Sequence, residues 1–350
     1  MNSNRSDRTA RRRRYRRRRI ALLVVVFLLF VTLLTLLFFG LNKLIEHATG
    51  GDPQNAVSTT TTTASATTTT TTTTRPTVPT LDASVLESQL NAKHILVYNV
   101  TYDMEIYSRD ADTLCAPAST TKLLTASVLL KFASEDDVFV VGDELKLVER
   151  GSSVAGLKEG QTLTLLQLLD ALLIPSGNDA AYVLAANVGR MIAQNETLDA
   201  TSAVAVFMEE MNRTATEIGC TQTHFVNPDG MTAEGHLTTA RDMLAIARYA
   251  NSFSQIRASV CKSAVSTIVS GEEYYWKNSN SMVHPASPYH YTYITGMKTG
   301  FTTPAGHCLV ASANRIGEEV IVVVLGGDSS EERFSDTYRL LEAAFAHAEM

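Results

Sequence analysis

Residues 20 to 41 run IALLVVVFLLFVTLLTLLFFGL without a charge. At about 1.5 Å rise per residue, a helix of that length crosses a hydrocarbon core of ~30 Å. The pattern predicts one transmembrane helix over 20–42. Beyond it apolar positions thin out: two threonine runs, Thr59 to Thr63 and Thr67 to Thr74, lead into RPTVPT. Such a segment has too little apolar surface to offset chain entropy, so residues 43–80 are expected to be a disordered spacer. Extended it would reach about 120 Å, and as a coil about 35 Å. Periodic patterns return at residue 81 and continue to the C-terminus.

In that remainder a short lead helix is expected near 82–92. The runs 94–100 (HILVYNV) and 104–108 (MEIYS) flank a polar turn and read as a hairpin. Helical spacing follows in 117–133 (PASTTKLLTASVLLKFA), Leu163 to Leu173, Asn178 to Ile192, Thr201 to Ile218 and Thr239 to Ala250. Thr239 with Asp242 makes a capping-box-like start to the last of these. Strand patterns then occupy 264–270, 274–278, 294–301, 308–315 and 319–325, before a final helix over 331–348. Helices and strands come in blocks rather than one by one, which argues for an α+β fold and against a doubly wound parallel sheet. The expectation is an antiparallel sheet joining early and late strands. Terminal helices would cover one face and the middle helical block the other, with a cleft beside that block as the natural site.

Charge gives the span a direction. Positions 5 to 19 hold ten Arg and one Asp, a local +9, so the total of −6 leaves −15 for everything after residue 19. Arginines directly before an apolar span keep the N-terminus in the cytoplasm and send the acidic remainder across. The basic run is read as this topology signal, not as a nucleic-acid site. The predicted organisation is therefore a basic cytoplasmic tail at 1–19, a membrane anchor at 20–42, a linker at 43–80 and an extracytoplasmic domain at 81–350. Cys115, Cys220, Cys261 and Cys308 all fall in the exported part. Disulfides are permitted there, but a domain of this size does not require them, and the pairing is left open. No CxxC or HExxH occurs, and neither a metal nor a cofactor is expected.

Three short motifs carry candidate chemistry. Pro117 opens a helix that places Ser119 and Lys122 at i and i+3, on one face. A serine hydroxyl needs an adjacent base, and a lysine becomes one where burial depresses its pKa. Free N–H groups in the first turn could hold an oxyanion. Ser-x-x-Lys by itself says little, because Ser259-Val-Cys-Lys262 fits it too. The second motif, Ser176-Gly177-Asn178 after Pro175, is a polar turn between apolar helices; Ser312-Ala-Asn314 matches the same spacing. The third, Lys298-Thr299-Gly300, lies on a predicted strand, where alternation puts Lys298 and Gly300 on one face and glycine leaves room for a ligand backbone.

Their order, on helix, inter-helix turn and strand, resembles that of the active-site serine penicillin-recognising group, most closely the D-alanyl-D-alanine carboxypeptidases or low-mass penicillin-binding proteins. PSGNDAAYVLA, FVNPDGMTAEGHLTTARDMLAIARYA and GMKTGFTTPAGHCLVASANR are similar to that family in register. The resemblance covers about residues 85 to 345. It implies an acyl-enzyme on Ser119, with Lys122 as base and Ser176 relaying a proton to the leaving D-alanine. Asn178 would hold the acyl-side amide, Lys298 and Thr299 the terminal carboxylate. The N–H groups of Ser119 and Phe301, beside Gly300, would form the oxyanion hole. Phe301 stands where some members have histidine. His236 and the turn Asn227-Pro228-Asp229-Gly230 also match, but a turn before a capped helix explains them, and they are left out of the site. The chain leaves no room for the β-rich C-terminal domain of many relatives, so the tether is expected at the N-terminus.

The resemblance implies peptidoglycan peptides ending in D-Ala-D-Ala as substrates and β-lactams as inhibitors, at the cell membrane. A serine β-lactamase shares the motifs, but it needs a carboxylate for its hydrolytic water, and Glu196-Thr-Leu-Asp199 does not fit the usual Glu-x-x-Leu-Asn loop. A cell-wall peptide sensor without turnover is the other alternative.

Overall fold

The computed structural model describes residues 87–346. The expected cytoplasmic tail (1–19), transmembrane helix (20–42) and linker (43–80) lie outside the described residues. Among the described residues no helix is long and apolar enough to cross a membrane. The lead helix expected over 82–92 lies partly outside them too, and residues 90–92 are not helical.

Two clusters of buried side chains, one on each face of a central sheet, organise the domain. The sheet has five antiparallel strands: β1 (His94–Asn99), β2 (Met104–Arg109), β7 (Ile294–Thr302), β8 (Gly306–Arg315) and β9 (Glu318–Gly327), in the order β2-β1-β9-β8-β7. The hairpin expected at the start is there, and its β1 pairs with β9 from the far end of the chain. Period-two alternation sorts the side chains. Leu96, Val310, Ile321 and Val323 face the helical block. Val97, Leu309, Ala311 and Val322 face the C-terminal helix α7 (Ser330–Phe345) through Phe334, Leu340 and Leu341.

The helical block comprises α1 (Lys122–Phe132), α2 (Leu165–Leu173), α3 (Asn178–Ala193), α4 (Ala200–Glu217), α5 (Ala240–Asn251) and α6 (Ser254–Val260). α1 is buried nearly all round, Leu123, Leu124, Val128 and Leu129 having no exposed surface, as suits a central helix.

The architecture is α+β, as expected, with four corrections. The strands β5 (Ala264–Val269) and β6 (Glu272–Lys277) pair only with each other and do not join the central sheet. Their place is beside the site: the buried Trp276 donates through Nε1 to Ala155 O at 2.9 Å. The segment 163–173 does not begin as helix. Thr162–Thr164 is a strand, β4, paired with β3 (Val138–Val140), and Thr164 is the N-cap of α2, with a reciprocal Gln167 capping box. Thr239 does cap α5, accepting from Asp242 N at 3.0 Å. The Asp242 carboxylate, however, turns to the N–H groups of Thr221 and Gln222 and the Thr223 hydroxyl, so no box closes. Finally, helix α6 had no clear pattern in the sequence.

α3 and α4 approach so closely that a methyl group on Gly189 would stand 1.8 Å from Ala203 O. Helix propensity alone would make Gly189→Ala stabilising by about 1 kcal/mol. Overpacking against a backbone carbonyl costs more, so the substitution is expected to destabilise the domain by about 1–3 kcal/mol in urea unfolding. An increase in stability would contradict the close approach.

Candidate active site

The site begins with a turn narrower than an α-helix. Pro117 leads into a 3-10 turn, Ala118–Thr121, and the α-helix starts only at Lys122. With three residues per turn, positions i and i+3 lie directly above one another, so Ser119 and Lys122 face each other better than an α-helix would allow. Thr120 Oγ1 donates to Pro117 O at 2.6 Å and Thr121 Oγ1 to Ala118 O at 2.8 Å, closing the turn from its own side chains.

Ala118 has φ +48°, uncommon for a residue with a side chain, and the surrounding backbone holds it there. A Cβ on Gly230 would stand 2.0 Å from Ala118 O. A Cβ on Gly300, in β7, would stand 2.9 Å from both Ala118 Cβ and Ser119 N. The two glycines let a loop and a strand close on the turn from either side. The missing side chain of Gly300 thus admits the protein's own backbone, while Gly300 also lines the cavity. His236 supports the same turn. It is buried and stacks on Phe225 with ring centroids 5.0 Å apart. Its Nδ1 accepts from Val226 N, so Nε2 carries the proton toward Thr121 Oγ1, 3.0 Å away. Burial pushes its pKa down to about 4, keeping it neutral.

Lys122 is fully buried. Its Nζ donates to Ser119 Oγ at 2.9 Å, to Asn178 Oδ1 at 2.7 Å and to Asp229 O at 2.5 Å. All three partners are neutral. Burial lowers its pKa to about 8, outweighing the carboxylates of Asp229 and Asp179 farther away. On losing one proton the amine keeps two N–H groups for Asn178 and Asp229, and its lone pair falls toward the Ser119 hydroxyl. That geometry fits a base. The Asn227–Gly230 turn, set aside in the sequence, is thus part of the site through a backbone carbonyl, which side-chain patterns do not report.

The competing Ser-x-x-Lys match shows the contrast. Ser259 Oγ and Lys262 Nζ both bind the Asp170 carboxylate, at 2.7 Å and at 2.9 and 2.7 Å, an ion pair that holds α6 to α2. Ser312 pairs with Thr295 and Asn314 accepts from Gly317 N, both away from the cavity lining.

A cavity of about 600 Å³ opens above Ser119 and brings the three motifs together. Ser176, Asn178, Thr299, Gly300 and Phe301 line it with Ser119, while Lys122 and Lys298 are buried beneath. Ser176 sits at φ +65°, and its hydroxyl bonds neither Ser119 nor Lys122. The Asn178 carbonyl oxygen is held by Lys122, which leaves its amide N–H₂ for a ligand. β7 is an edge strand, so its outer backbone faces the cavity. The 2.9 Å from the Gly300 Cβ position to Ser119 N sets that strand beside the serine N–H. Phe301 is 54% exposed and stacks on His307 across the β7–β8 pair, centroids 4.3 Å apart.

Lys298 Nζ reaches Thr299 O at 3.0 Å and Ser279 Oγ at 3.5 Å, and Ser279 Oγ lies 2.6 Å from Thr299 Oγ1. Burial pulls the Lys298 pKa well down, helped by Lys122 and Arg333. Arg333, on α7, was not foreseen. It lines the cavity and donates to Gly300 O at 3.0 Å, with Nε unpartnered. No ion pair engages Lys298 or Arg333 among the described residues, so this end of the cavity suits an anion. No motif marks Arg333, because it reaches the site from another element, 33 residues past Gly300. All four cysteines are free thiols.

A serine hydroxyl on a buried amine with neutral partners, beside backbone N–H groups and a cationic end, defines a serine acyl-transfer site for substrates that carry an anion. The chain belongs to the D-alanyl-D-alanine carboxypeptidase family, whose profile it matches over residues 80–329. It is 28% identical over 249 residues to the D-alanyl-D-alanine carboxypeptidase DacF of Bacillus subtilis, covering 70% of this chain and 59% of DacF's length. The crystal structure of the Streptomyces K15 DD-transpeptidase superposes with a TM-score of 0.67 at 31% identity, over 73% of this chain and 98% of that one. Penicillin-binding protein D2 of Listeria monocytogenes, in its ampicillin-bound form, gives 0.60 at 27% identity, over 73% and 98%.

Gly300→Ala must displace the Ser119 turn or the strand. Acylation by a labelled penicillin is expected to slow on the order of 100-fold, the cost of moving reacting groups by about 1 Å. A rate within twofold of wild type would show that the close approach does not position the serine.

Proposed function

We propose that this protein is a serine D-Ala-D-Ala carboxypeptidase that trims the terminal D-alanine from peptidoglycan stem peptides. Ser119 Oγ attacks the carbonyl of the penultimate D-alanine while neutral Lys122 takes its proton. The N–H groups of Ser119 and Phe301 receive the oxyanion, charge that exists only as the carbonyl becomes tetrahedral. The C–N bond then breaks, Ser176 passes a proton to the departing amine, and the acyl group remains on Ser119 until water hydrolyses the ester. Asn178 holds the acyl-side amide. Lys298, Thr299 and Arg333 take the substrate carboxylate, with Gly300 and Phe301 along the edge strand. β-Lactams acylate the same serine, a reading supported by the ampicillin-bound Listeria relative.

One observation carries the proposal: Lys122 Nζ sits 2.9 Å from Ser119 Oγ with no carboxylate in its hydrogen-bond shell. The apolar run 20–41, the preceding arginines and the threonine-rich segment support a single-pass protein of the cell membrane. Its N-terminus would be cytoplasmic and its catalytic domain tethered outside, within reach of the wall. The likeness to the Streptomyces DD-transpeptidase favours a second reading, in which an acceptor amine replaces water on the acyl-enzyme.

Incubation of the purified protein with a pentapeptide ending in D-Ala-D-Ala is expected to release one D-alanine per peptide. Ser119→Ala should abolish both that release and penicillin labelling. Added amine acceptor that diverts the acyl group into a new peptide would support transpeptidation. Labelling without release from any acceptor would mark a sensor, and rapid penicillin turnover without a lasting adduct a β-lactamase.

The same assay has a predicted pH dependence. A lysine at its ordinary pKa of 10.5 would be neutral in about one molecule in 3,000 at pH 7, whereas one near 8 is neutral in about one in 10. Because the neutral form is the base, kcat/KM should rise about tenfold per pH unit below 8 and level off above it. A rate that falls across pH 7–9 would exclude Lys122 as the base.

A further inference from the structure

Two of the three acceptors around Lys122 Nζ come from regular structure, Ser119 Oγ from the 3-10 turn and Asn178 Oδ1 from the first turn of α3. The third, Asp229 O, comes from a segment between α4 and α5 that is neither helix nor strand. Its placement matters, because it lies 2.5 Å from Nζ and 3.4 Å from Ser119 Oγ. A shift toward the serine would turn the hydroxyl proton to the carbonyl and away from the amine that must take it. Side chains hold this carbonyl where it is. Asn227 spans the turn with both ends of one amide: Oδ1 accepts from Gly230 N and Nδ2 donates to Met231 O, each at 2.8 Å. Asp229 is enclosed between those contacts, its own carboxylate accepting from Met231 N at 3.1 Å. From α1, one turn past Lys122, the buried Thr125 donates through Oγ1 to Pro228 O at 2.7 Å. On the far side Thr232 Oγ1 donates at 3.0 Å to Thr302 Oγ1, at the end of β7.

We propose that Asn227 is a positioning residue for acylation, its side-chain amide fixing the turn that aims the Asp229 carbonyl at the Lys122 amine, with Thr125 as the second anchor. Neither residue lines the cavity, so neither meets the substrate. Without the Asn227 amide, Gly230 N has no acceptor and Met231 O no donor, and the peptide units between them are no longer clamped. The ammonium of Lys122 then loses an acceptor, which disfavours its charged form. The neutral amine loses the N–H contact that turns its lone pair toward Ser119. Both effects reach the chemistry through Lys122, so they carry a signature that loss of fold does not: the acylation rate drops while its pH midpoint moves to lower pH. The inference rests on Lys122 acting as the base, but not on whether water or an amine later takes the acyl group.

Acylation of the purified protein by a labelled penicillin is to be followed from about pH 6 to about pH 10. Each rate is the rate constant of the fraction that labels, so a preparation that folds in part still reports it. In Asn227→Ala the plateau rate should fall about 10- to 100-fold, the cost of displacing a reacting group by up to about 1 Å. Its midpoint, near 8 in the wild type, should move down by about half a unit to one unit. Thr125→Val keeps the shape of the side chain and loses the hydroxyl, and should show both changes with a plateau about 3- to 10-fold lower. Because the two side chains hold one turn, the double variant should lose less than the product of the single losses. A plateau within twofold of wild type, a lower plateau with an unmoved midpoint, or fully multiplicative losses would overturn the assignment. If Asn227→Ala does not fold, Thr125→Val decides by the same plateau and midpoint. A wild-type rate that does not rise toward pH 8 would remove Lys122 as the base and the role of Asn227 with it. The expected wild-type profile with unaltered variants would remove Asn227 alone.

Discussion

The site depends on an ammonium group taken out of water and given only neutral partners. Lys122 has no exposed surface, and Ser119 Oγ, Asn178 Oδ1 and Asp229 O complete its shell. Three acceptors satisfy three N–H donors, so the charged form is tolerated, but it is not stabilised by an adjacent carboxylate. The resulting pKa, about 8, keeps a usable fraction neutral at physiological pH. Had the shell included a carboxylate, as it does for Lys262 on Asp170, the amine would be a structural cation.

Much of the surrounding fold holds that shell in place. The 3-10 turn aligns Ser119 with Lys122, and Gly230 and Gly300 allow two backbones to press on it. His236, kept neutral by burial, ties the turn to the 224–237 loop. Ala118 and Ser176, both at positive φ, mark where the backbone departs from its preferred wells. Such departures cost about 1–3 kcal/mol each, and two buried lysines add to the cost. The extensive core on both sides of the sheet offsets these costs, which is where a catalytic domain can carry local strain.

The elements with a clean period were legible in the sequence: the β1–β2 hairpin, the C-terminal strands, and helices α3, α4 and α5 within a residue or two of their ends. Ser119, Lys122, Ser176, Asn178, Lys298, Thr299, Gly300 and Phe301 were legible as three motifs, and the structure brings them to one cavity and its floor. What alternation cannot report is which strands pair. β5 and β6 have the same pattern as the central strands, yet form a separate hairpin because they pack against the 153–157 loop instead. The start of α1 was misplaced because the Pro-Ala-Ser-Thr-Thr stretch suits an α-helix, and only the tertiary clamp tightens it into a 3-10 turn. Asp229 lies in a turn that matched the family but was explained as a turn before a capped helix, because its part in the site is played by a backbone carbonyl; Arg333 comes from an element distant in sequence and leaves no local signature.

The most direct test is to titrate Lys122 itself. In protein labelled with ¹³C and ¹⁵N at lysine, the side-chain resonance that disappears in Lys122→Arg should titrate with a midpoint near 8. A midpoint at the ordinary 10.5 or above would mean that the amine is a fixed cation at neutral pH, and the base would have to be sought elsewhere.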